Sequence, residues 1–568
     1  MGRNRPALSR ALVSKQFCAI NRSTSGDRPL KDSSPFAPFR HRAFLSYWLV
    51  GLAANFGWLI QNVGASWSMT QMHGSPEMVA LVQTSVALPL MLFSLPAGAL
   101  ADTFGRRRTV IVSQGILCLI SAMLALASFL GMLSPWGLLA FTFLIGCAKA
   151  LNNPAWQTMV SELVPKSDLP SAVALNSIGF NLARSVGPAI GGVLVGAVGA
   201  FSAFMVNAAA NLFVLISARH WKSPEEADRL PPESIGSAIM AGLRYVGLSP
   251  IHLTVFARGF LFNVAGIAVM ALMPLVARDQ LGGGPLTYGL LLGGFGVGAI
   301  LGALGAAKLR AMVTLETNVR ICTLAYAAGA ALLGFSTYFP LSILAVMITG
   351  AAWPVLLSSL NTTIQLSSPR WVLSRCLAIY QSCNFGGFAI GGWIWGMTAG
   401  QVGTGEALGF SAVALVVFAA VGLVLPLRQL DTSSLDPHSR WKKPEPSIDM
   451  VPKSGPIITT IEYRIAEADT DEFLTLMAER RRGRIRDGAR RWTLSRDLVD
   501  PELWHERFKT PTWIETQRHH ARRTVAGAEI AERLKALHRG EDSGRVHYEL
   551  VRPAMPPRPH APVVATEE

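Results

Sequence analysis

Between residues 43 and 428 the chain consists mainly of long apolar runs, each near the roughly 20 residues that an α-helix needs to cross a bilayer. Half of the 568 residues are hydrophobic and only 15% are charged, whereas soluble domains carry about 25% charge. A lipid interior offers no water to backbone polar groups, so such runs have to form helices. The sequence therefore predicts an all-α polytopic membrane protein with polar flanks at 1–42 and 429–568.

Pro, Gly and charged residues divide the apolar region into twelve predicted spans. They lie at 43–69, 78–101, 109–131, 136–162, 171–197, 200–218, 251–276, 286–307, 317–335, 338–364, 375–399 and 406–427. The longest internal loop, 219–250, divides them six and six, and its segment Ser234–Val246 has the spacing of an amphipathic surface helix. We therefore predict two six-helix bundles, 43–218 and 251–428, joined by that loop.

Short sequence features of the first bundle recur 200 residues later in the second. Pro154 has a counterpart at Pro354, and the run Ala189-Ile-Gly-Gly192 has a counterpart at Ala389-Ile-Gly-Gly392. Together with the six-plus-six division, this recurrence predicts two pseudo-repeats that face a central cavity.

Lys and Arg residues collect in alternate loops. This distribution predicts a bacterial inner-membrane protein with both termini in the cytoplasm. The loops after spans 2, 4, 6, 8 and 10 carry Arg106, Arg107, Arg108, Lys166, Arg219, Lys222, Arg229, Arg244, Lys308, Arg310, Arg370 and Arg375. The opposite loops carry Arg278. The net charge of +15 thus reflects membrane orientation, and we expect no nucleic-acid partner.

The polar flanks have separate predicted roles. The basic segment 1–42 lacks the apolar core of a signal peptide and is predicted to be a disordered cytoplasmic head. A Pro-rich linker, 429–456, leads to a soluble unit at 457–553, which is followed by a disordered tail at 554–568. The order β-α-β-β-α-β within that unit predicts a small α+β domain with a ferredoxin-like fold.

Several function classes find no support in the sequence. The six cysteines have no metal-ligand spacing, so we expect no metal, no other cofactor and no disulfide framework. No phosphate-binding loop of the G-x-x-x-x-G-K-S/T type occurs, which argues against ATP-driven transport.

The loop between spans 2 and 3 reads Gly98-Ala-Leu-Ala-Asp102-Thr-Phe-Gly105-Arg106-Arg107-Arg108. It resembles the signature loop of the major facilitator superfamily, although Thr103 stands where that family usually has Arg or Lys. The resemblance implies a twelve-helix transporter in which this loop latches and releases during the transport cycle. The gating residues that it implies are Gly98, Asp102, Gly105, Arg106 and Arg107.

Span 5 contains Gly187-Pro188-Ala-Ile-Gly191-Gly192, which resembles the core of the motif typical of antiporters in this superfamily. The resemblance implies export. The same residues also describe a kinked, closely packed helix, because Pro bends a helix and Gly admits a neighbour.

Lys149 and Arg184 each lie about thirteen residues inside a span, which is near the midplane of the bilayer. Charges at that depth are costly and generally face a wet cavity or a partner. With no nearby carboxylate in the sequence, they predict a cavity that favours anionic or electron-rich substrates. The alternative is that they snorkel or contact helix carbonyls.

Other polar residues within the spans are weaker candidates for the substrate pathway. Asn55, Gln61 and Asn62 in span 1 either line the cavity or bond to neighbouring helices. Arg258 in span 7 is either a pathway residue or an anchor near the membrane surface.

The resemblance narrows further over residues 36–430. Runs such as Asn55-Phe-Gly57-Trp58 and Asn153-Pro154-Ala155-Trp156 look like the superfamily branch that contains the enterobactin exporter and the transmembrane secretion effector permeases. The C-terminal unit is similar to antibiotic-biosynthesis-monooxygenase-like extensions. By that resemblance its aromatic and histidine side chains either line a pocket or are packing and rim residues of the sandwich; they are Trp492, Trp504, His505, Trp513, His519 and His520.

Three functions remain open from the sequence. The first is a secondary exporter of a small amphipathic or anionic molecule, such as a siderophore-like metabolite or drug, working by alternating access. The others are a bifunctional permease with a monooxygenase tail and a ligand-sensing transceptor. Proton antiport is open too, with Lys149 as the titrating candidate in the absence of a midplane carboxylate. The expected partners are the substrate and the lipid bilayer, and the C-terminal unit is a candidate for self-association.

Overall fold

The computed structural model describes residues 36–72, 74–165, 168–219, 221, 235–369, 371–427, 447–448, 450–522, 525–540 and 545–552. Most of the predicted head 1–42, most of the predicted linker 429–456 and all of the predicted tail 554–568 lie outside these residues.

Thirteen helices follow one another in the described part of the membrane region. They are α1 (Arg42–Gln71), α2 (Pro76–Phe104), α3 (Arg106–Phe129), α4 (Pro135–Leu163), α5 (Leu169–Val198), α6 (Ala200–Ala218), α7 (Ile235–Gly247), α8 (Pro250–Leu275), α9 (Pro285–Met312), α10 (Leu315–Phe335), α11 (Phe339–Ser367), α12 (Leu373–Val402) and α13 (Thr404–Val424). The short helix α7 lies at the predicted amphipathic segment, and each of the others corresponds to one predicted span.

Local sequence explains where these helices begin and end. Helices α2 and α4 have Pro in the first turn, and the side chains of Ser75 and Ser134 accept hydrogen bonds from the exposed N–H groups there. Gly105, Gly199 and Gly403 have φ angles of 85°, 100° and 101° and separate consecutive helices. Positive φ angles suit glycine, so these turns are as tight as a single residue allows.

Eleven of the described helices are long and apolar enough to cross a membrane, and α12 is the long helix outside that set. Polar side chains such as Gln381 and Asn384 lower its apolarity. Helix α12 packs against α2 and α8, and Asn384 accepts a hydrogen bond of 2.8 Å from the Asn263 amide. Helix α12 thus packs within the second bundle and against the first, and it is the twelfth long helix of the predicted fold.

Helices α1–α6 and α8–α13 form two bundles that meet along two seams, α2 with α12 and α5 with α9. The seams are close because glycines line them. A Cβ on Gly192 of α5 would lie 2.7 Å from the Pro285 carbonyl oxygen of α9, and one on Gly392 of α12 would lie 2.6 Å from the Thr84 hydroxyl of α2. The recurrent Ile-Gly-Gly runs therefore occupy equivalent positions in the two bundles.

The preceding glycines of the two runs contact their own bundles. A Cβ on Gly191 would lie 3.2 Å from the Ile60 Cα in α1, and one on Gly391 would clash with the Val264 carbonyl oxygen in α8. In each run the first glycine packs inside its bundle and the second packs across the seam, as expected of a duplicated unit.

The C-terminal unit has four antiparallel strands in the order β2-β3-β1-β4. These are β1 (Ile457–Arg464), β2 (Arg490–Arg496), β3 (Leu503–Thr510) and β4 (Val546–Leu550), with helices α14 (Thr470–Asp487), α15 (Trp513–Ala521) and α16 (Val525–Leu537). This is the predicted ferredoxin-like topology, with the second helical region broken in two. Buried residues such as Phe473, Leu476 and Phe508 give it a separate core.

The C-terminal domain contacts the second bundle through a chain of stacked side chains. The Arg486 guanidinium lies 5.4 Å from the ring centroid of Tyr245 in α7, and the Arg522 guanidinium lies 4.3 Å from that of Trp371. Tyr245 and Trp371 are themselves packed edge to face at 5.8 Å. Each contact joins a cation to an aromatic face, an arrangement that stabilises association most strongly when it is desolvated.

Candidate functional site

A cavity of about 880 Å³ lies between the two bundles. Helices α1, α2, α4 and α5 supply one wall, and α8, α9, α11 and α12 supply the other. Such a volume suits a drug-sized molecule, and sites between bundles are where transporters of this architecture bind cargo.

Both ends of the membrane region lie at one face of the bundles, which we call the terminal face because α1 begins there and α13 ends there. The cavity is closed at the opposite, far face. Trp67 stacks on Tyr288 with ring centroids 6.5 Å apart. Arg278, on a π-helical turn after α8, donates a hydrogen bond of 3.0 Å to the Thr70 carbonyl at the end of α1.

Toward the terminal face the walls of the cavity separate. Val173 and Ser177, in the first turns of α5, line the cavity and are exposed. The conformation is therefore closed at the far face and open at the terminal face.

Lys149 of α4 lies on the cavity wall, with its Nζ 4.8 Å from the ring centroid of Trp58 in α1. The side chain is half-buried, which fits a group that faces a cavity. The Trp58 indole N–H is buried and has no partner among the described residues. The pair thus offers a cation and an unused hydrogen-bond donor at one place on the wall.

Arg184 of α5 also lies on the wall, and its contacts cross to the second bundle. Its guanidinium carbon is 4.5 Å from the ring centroid of Trp353 in α11 and 5.4 Å from that of Phe295 in α9. Aromatic faces attract a cation without cancelling its charge. No Asp or Glu occurs among the described residues that line the cavity, so the wall is electropositive.

The rest of the wall is apolar or carries neutral amides. Asn55 and Asn62 of α1 both line the cavity, as their shared helix face predicts. The other amide side chains on the wall are those of Gln83, Asn153, Gln157, Asn176, Asn181 and Gln381. Amides both donate and accept hydrogen bonds, so they can orient a polar cargo without selecting its charge.

Gln61, in contrast, is only 2% exposed and belongs to a network inside the first bundle. Its carbonyl oxygen accepts hydrogen bonds from Ser121 and Asn207, and Asn207 also donates to Ser121 at 2.9 Å. This residue connects α1, α3 and α6 and is not among those that line the cavity.

Arg258 also lies away from the cavity wall, although the sequence made it a pathway candidate. It is 5% exposed and forms an ion pair of 3.3 Å with Glu316 of α10. The same carboxylate accepts from Arg320 at 2.9 Å and from the Leu427 N–H at 3.0 Å. Arg258 thus links α8 to α10 and, through Glu316, to the end of α13, so its contacts stabilise the second bundle.

In the loop between α2 and α3, Gly105 makes the turn and Arg107 caps a neighbouring helix. The Arg107 Nε donates a hydrogen bond of 3.1 Å to the Ala218 carbonyl at the end of α6, and its Nη2 donates to the Arg219 carbonyl. A cation at a helix C-terminus is favourable. The side chain of Asp102 and the surroundings of Gly98 lie outside what the structure describes.

The motif of α5 places different residues on different neighbours. Gly187 and Gly191 allow α1 to pack closely against α5, and Gly192 allows α9 to do so. Pro188 lies on the cavity wall. Helix α5 therefore lines the cavity, forms one seam with the second bundle and packs against α1 within its own bundle.

In the C-terminal domain, two of the predicted pocket residues, Trp492 and His519, contact a buried charge cluster. Glu506 is fully buried between Arg480 and Arg484 at 2.8 and 3.0 Å, and it also accepts from Trp492 and Tyr463. Burial would raise its pKa, but the two arginines hold the pKa of Glu506 well below its usual range. The cluster fills the space between the sheet and α14. Among the described residues, no group of His, Cys, Asp and Glu has a metal-binding arrangement.

Sequence reasoning missed the aromatic partners of Arg184. Trp353 and Phe295 lie in predicted spans with no polar residue beside them that would mark a site. They contact Arg184 only because the two bundles pack together. A Trp one residue before Pro354 is the one local signal that could have found them. Glu316 was missed as the partner of Arg258 because it lies just before the predicted start of its span.

Two six-helix bundles related by pseudo-symmetry, around a cavity that opens at one face, define a membrane transporter of the major facilitator type. The family model described as transmembrane secretion effector matches residues 33–554. The chain belongs to that family.

Known proteins similar to this chain are transporters as well. Multidrug efflux pump Tap of Mycolicibacterium fortuitum is 24% identical over 398 residues, which cover 67% of this chain and 96% of that protein. Enterobactin exporter EntS of Escherichia coli O1:K1 / APEC is 25% identical over 402 residues, which cover 68% and 92%.

Solved structures agree on the fold. A bacterial homologue of the human lysosomal transporter Spinster, in an inward-facing and occupied conformation, matches with a TM-score of 0.54 at 16% identity. The match covers 68% of this chain and 96% of that one. At this level of identity the likeness shows the shared fold.

Proposed function

We propose that this protein is a secondary exporter of small amphipathic or anionic molecules, such as a siderophore-like metabolite or drug. The observation that carries the proposal is the electropositive cavity, where Lys149 and Arg184 face aromatic rings and no described lining residue is acidic. Similarity to an efflux pump and to a siderophore exporter supports the outward direction.

Transport proceeds by alternating access of the two bundles around the cavity. The alternation of basic loops supports an inner-membrane protein with both termini in the cytoplasm. In that orientation the terminal face is cytoplasmic, and the described conformation is ready to load cargo from inside the cell. The far-face contacts between Arg278 and Thr70 and between Trp67 and Tyr288 then form the closed outer gate.

The loop between α2 and α3 acts as the inner latch of this cycle. Arg107 already holds the end of α6, so the loop is tied to the first bundle through Gly105, Arg106 and Arg107. Closing the terminal face brings this loop toward the second bundle, with Asp102 as the group that pairs there. The Gly-rich motif of α5 supports the same cycle by letting the α5–α9 seam close.

Proton antiport remains a candidate for the energy source, and Lys149 is then the group that exchanges the proton. The C-terminal domain is proposed to regulate the bundle on which it docks. The buried cluster around Glu506 fills the space between the sheet and α14, and the domain docks on the second bundle through Arg522, so we favour regulation over a second enzyme. Self-association through this domain is the alternative role.

Metabolite profiling of the culture medium tests the proposal directly. A deletion strain carrying the full chain should release compounds that the empty deletion strain retains. A Lys149→Met, Arg184→Met double variant should lose export of anionic compounds by about 30-fold or more, since a desolvated charge contact is worth on the order of 2–5 kcal/mol. Lys308→Met is the matched control, because Lys308 is exposed on α9 away from the cavity.

Two results would count against the proposal. Normal export of anions by the double variant would remove the electropositive cavity from the mechanism. Accumulation of the compounds inside cells that carry the full chain would reverse the direction of transport.

A further inference from the structure

Arginines from two parts of the protein meet where the C-terminal domain docks on the second bundle. Arg244 lies on α7, which packs against α14 of the domain. A Cβ on Gly488, the residue that caps the end of α14, would lie 3.1 Å from the Arg522 Nη1 and 3.6 Å from the Arg244 Nη2. The two guanidinium groups therefore flank the same point, and like charges held this close repel each other unless an anion offsets them.

The carboxylates at this junction already pair with other arginines. Asp487 accepts a hydrogen bond of 3.4 Å from Arg486. Glu515 lies 2.6 Å from the Arg518 Nη1 and 3.8 Å from the Arg522 Nη2. Both acidic groups are therefore engaged within the C-terminal domain.

Arg244 on α7 and Arg490 at the start of β2 have no ion-pair partner among the described residues. The Arg244 Nε is buried and has no hydrogen-bond partner in that part of the chain. Burial lowers the pKa of Arg244, and the positive charges of Arg522 and Arg490 lower it further. Glu515 and Asp487 oppose this effect less strongly. The surroundings of Arg244 are therefore electropositive, and the exposed Arg490 gives an anion access to them.

Helix α7 also presents an apolar stripe beside Arg244. Met240 is 58% exposed and Leu243 is 45% exposed. Leu243 and Arg244 follow Met240 by three and four residues, so the three side chains share one face of the helix. On an amphipathic helix at a membrane surface, such a face contacts acyl chains while a cation beside it reaches the headgroup phosphates.

We propose that Arg244 and Arg490 bind the phosphate group of an anionic phospholipid, which then bridges α7 and the C-terminal domain. A guanidinium donates two parallel hydrogen bonds to phosphate oxygens, so two arginines suit one phosphate group. The acyl chains lie along Met240 and Leu243. The lipid strengthens docking, so the headgroup charge of the membrane controls how firmly the domain is held. This site is separate from the cavity and does not depend on the identity of the cargo.

Purified full-length protein in a neutral detergent provides the test. The probe is dioctanoyl-phosphatidylglycerol, and native mass spectrometry measures its dissociation constant. An Arg244→Gln, Arg490→Gln double variant should bind the lipid about tenfold more weakly or worse, because the charge-assisted hydrogen bonds from both sides are lost. The matched control is Arg482→Gln, Lys535→Gln, which removes the same charge from exposed positions of α14 and α16 and should bind the lipid normally.

Amide hydrogen exchange reports whether the bound lipid strengthens docking. The probe should slow exchange in α7 and at the start of β2 several-fold in the unmodified chain but not in the double variant. Arg490 is exposed, so Arg490→Gln alone tests the site without disturbing the packing of α7 and should lose most of this slowing. Arg244→Lys keeps the charge without the planar fork and should retain part of it.

Three results would overturn the proposal, and none of them bears on export. Equal affinity of the double variant and the control would reduce the effect to general charge attraction. Equally tight binding of dioctanoyl-phosphatidylcholine, which has the same phosphate and chains but no net charge, would remove the role of headgroup charge. Equal slowing of exchange by inorganic phosphate at the same concentration would make a soluble phosphate the occupant instead of a lipid.

Discussion

Buried charges in this protein have two kinds of neighbour, and the kind of neighbour separates structural charges from the proposed transport site. Glu506 lies between two arginines, and Glu316 bridges Arg258 and Arg320. These groups are neutralised inside the fold, where removing one partner leaves an uncompensated charge. Lys149 and Arg184 contact aromatic rings instead and remain available to a ligand.

The Glu506 cluster gives a prediction at the residue scale. Glu506→Gln should destabilise the C-terminal domain by about 3–5 kcal/mol, because two arginines lose their buried counter-ion. Amide hydrogen exchange of β1 and β3, measured in the full chain at neutral pH, should accelerate accordingly. Glu549→Gln, on the edge strand and about half exposed, should change exchange little.

The same residue predicts the pH dependence of that domain. Its pKa is lower in the folded state than in the unfolded chain, so the carboxylate stabilises the fold above the unfolded value of about 4.3. This stabilisation is lost progressively as the pH falls below about 4. The Gln variant should lack this acid-sensitive component, and an unchanged acid profile in the variant would exclude Glu506 as its source.

At the scale of elements, the paired glycine runs of α5 and α12 set how closely the bundles meet. Gly192 and Gly392 face the opposite bundle, and their neighbours differ in how far they can yield. The carbonyl of Pro285 is backbone, whereas the Thr84 hydroxyl is a side chain that can rotate. The α5–α9 seam should therefore be the less tolerant of the two.

Gly192→Ala should hold the far face partly open. Its Cβ would lie 2.7 Å from the Pro285 carbonyl oxygen, so α5 and α9 have to separate. Spin labels at Leu130 and Tyr338, both exposed at the far face of different bundles, should report longer distances. Gly392→Ala should give a smaller shift.

Gly196→Ala is the matched control, because its Cβ would meet the Pro285 ring at an ordinary 3.6 Å. Labels are placed in a background without native cysteines, measured by pulsed electron paramagnetic resonance. Identical distance distributions for Gly192→Ala and Gly196→Ala would show that this seam does not control closure.

At the scale of the whole molecule, the C-terminal domain is attached to the transporter by more than its linker. Arg486 contacts Tyr245 in α7, and Arg522 contacts Trp371 between α11 and α12. Tyr245 also donates a hydrogen bond to the Ser367 carbonyl at the end of α11. The domain is therefore docked on α7 and on the connection between α11 and α12.

Removing the Trp371 ring should release the domain. A desolvated cation–π contact is worth about 2 kcal/mol, which corresponds to about a 30-fold shift toward the undocked state. Labels at Val499 in the domain and Met312 on α9, both highly exposed, should change from a narrow to a broad distance distribution in Trp371→Ala. Trp393→Ala, at a half-exposed position of α12, serves as the control. Equally narrow distributions in both variants would argue that other contacts hold the domain.

The twelve spans, their six-plus-six division and the order of strands and helices in the C-terminal domain follow from the sequence alone. Each depends on residues close together in the chain, such as a 20-residue apolar run or a short periodic pattern. The fold class predicted on this basis is confirmed.

Only the tertiary structure decided which polar residues share the cavity. Hydropathy places a residue at a depth but does not fix the rotation of its helix, so Asn62 and Gln61, neighbours in sequence, face the cavity and the bundle interior respectively. The aromatic partners of Arg184, the ion pair of Arg258 and the docking of the C-terminal domain join residues far apart in the chain. Their positions depend on how whole helices pack, which no local pattern encodes.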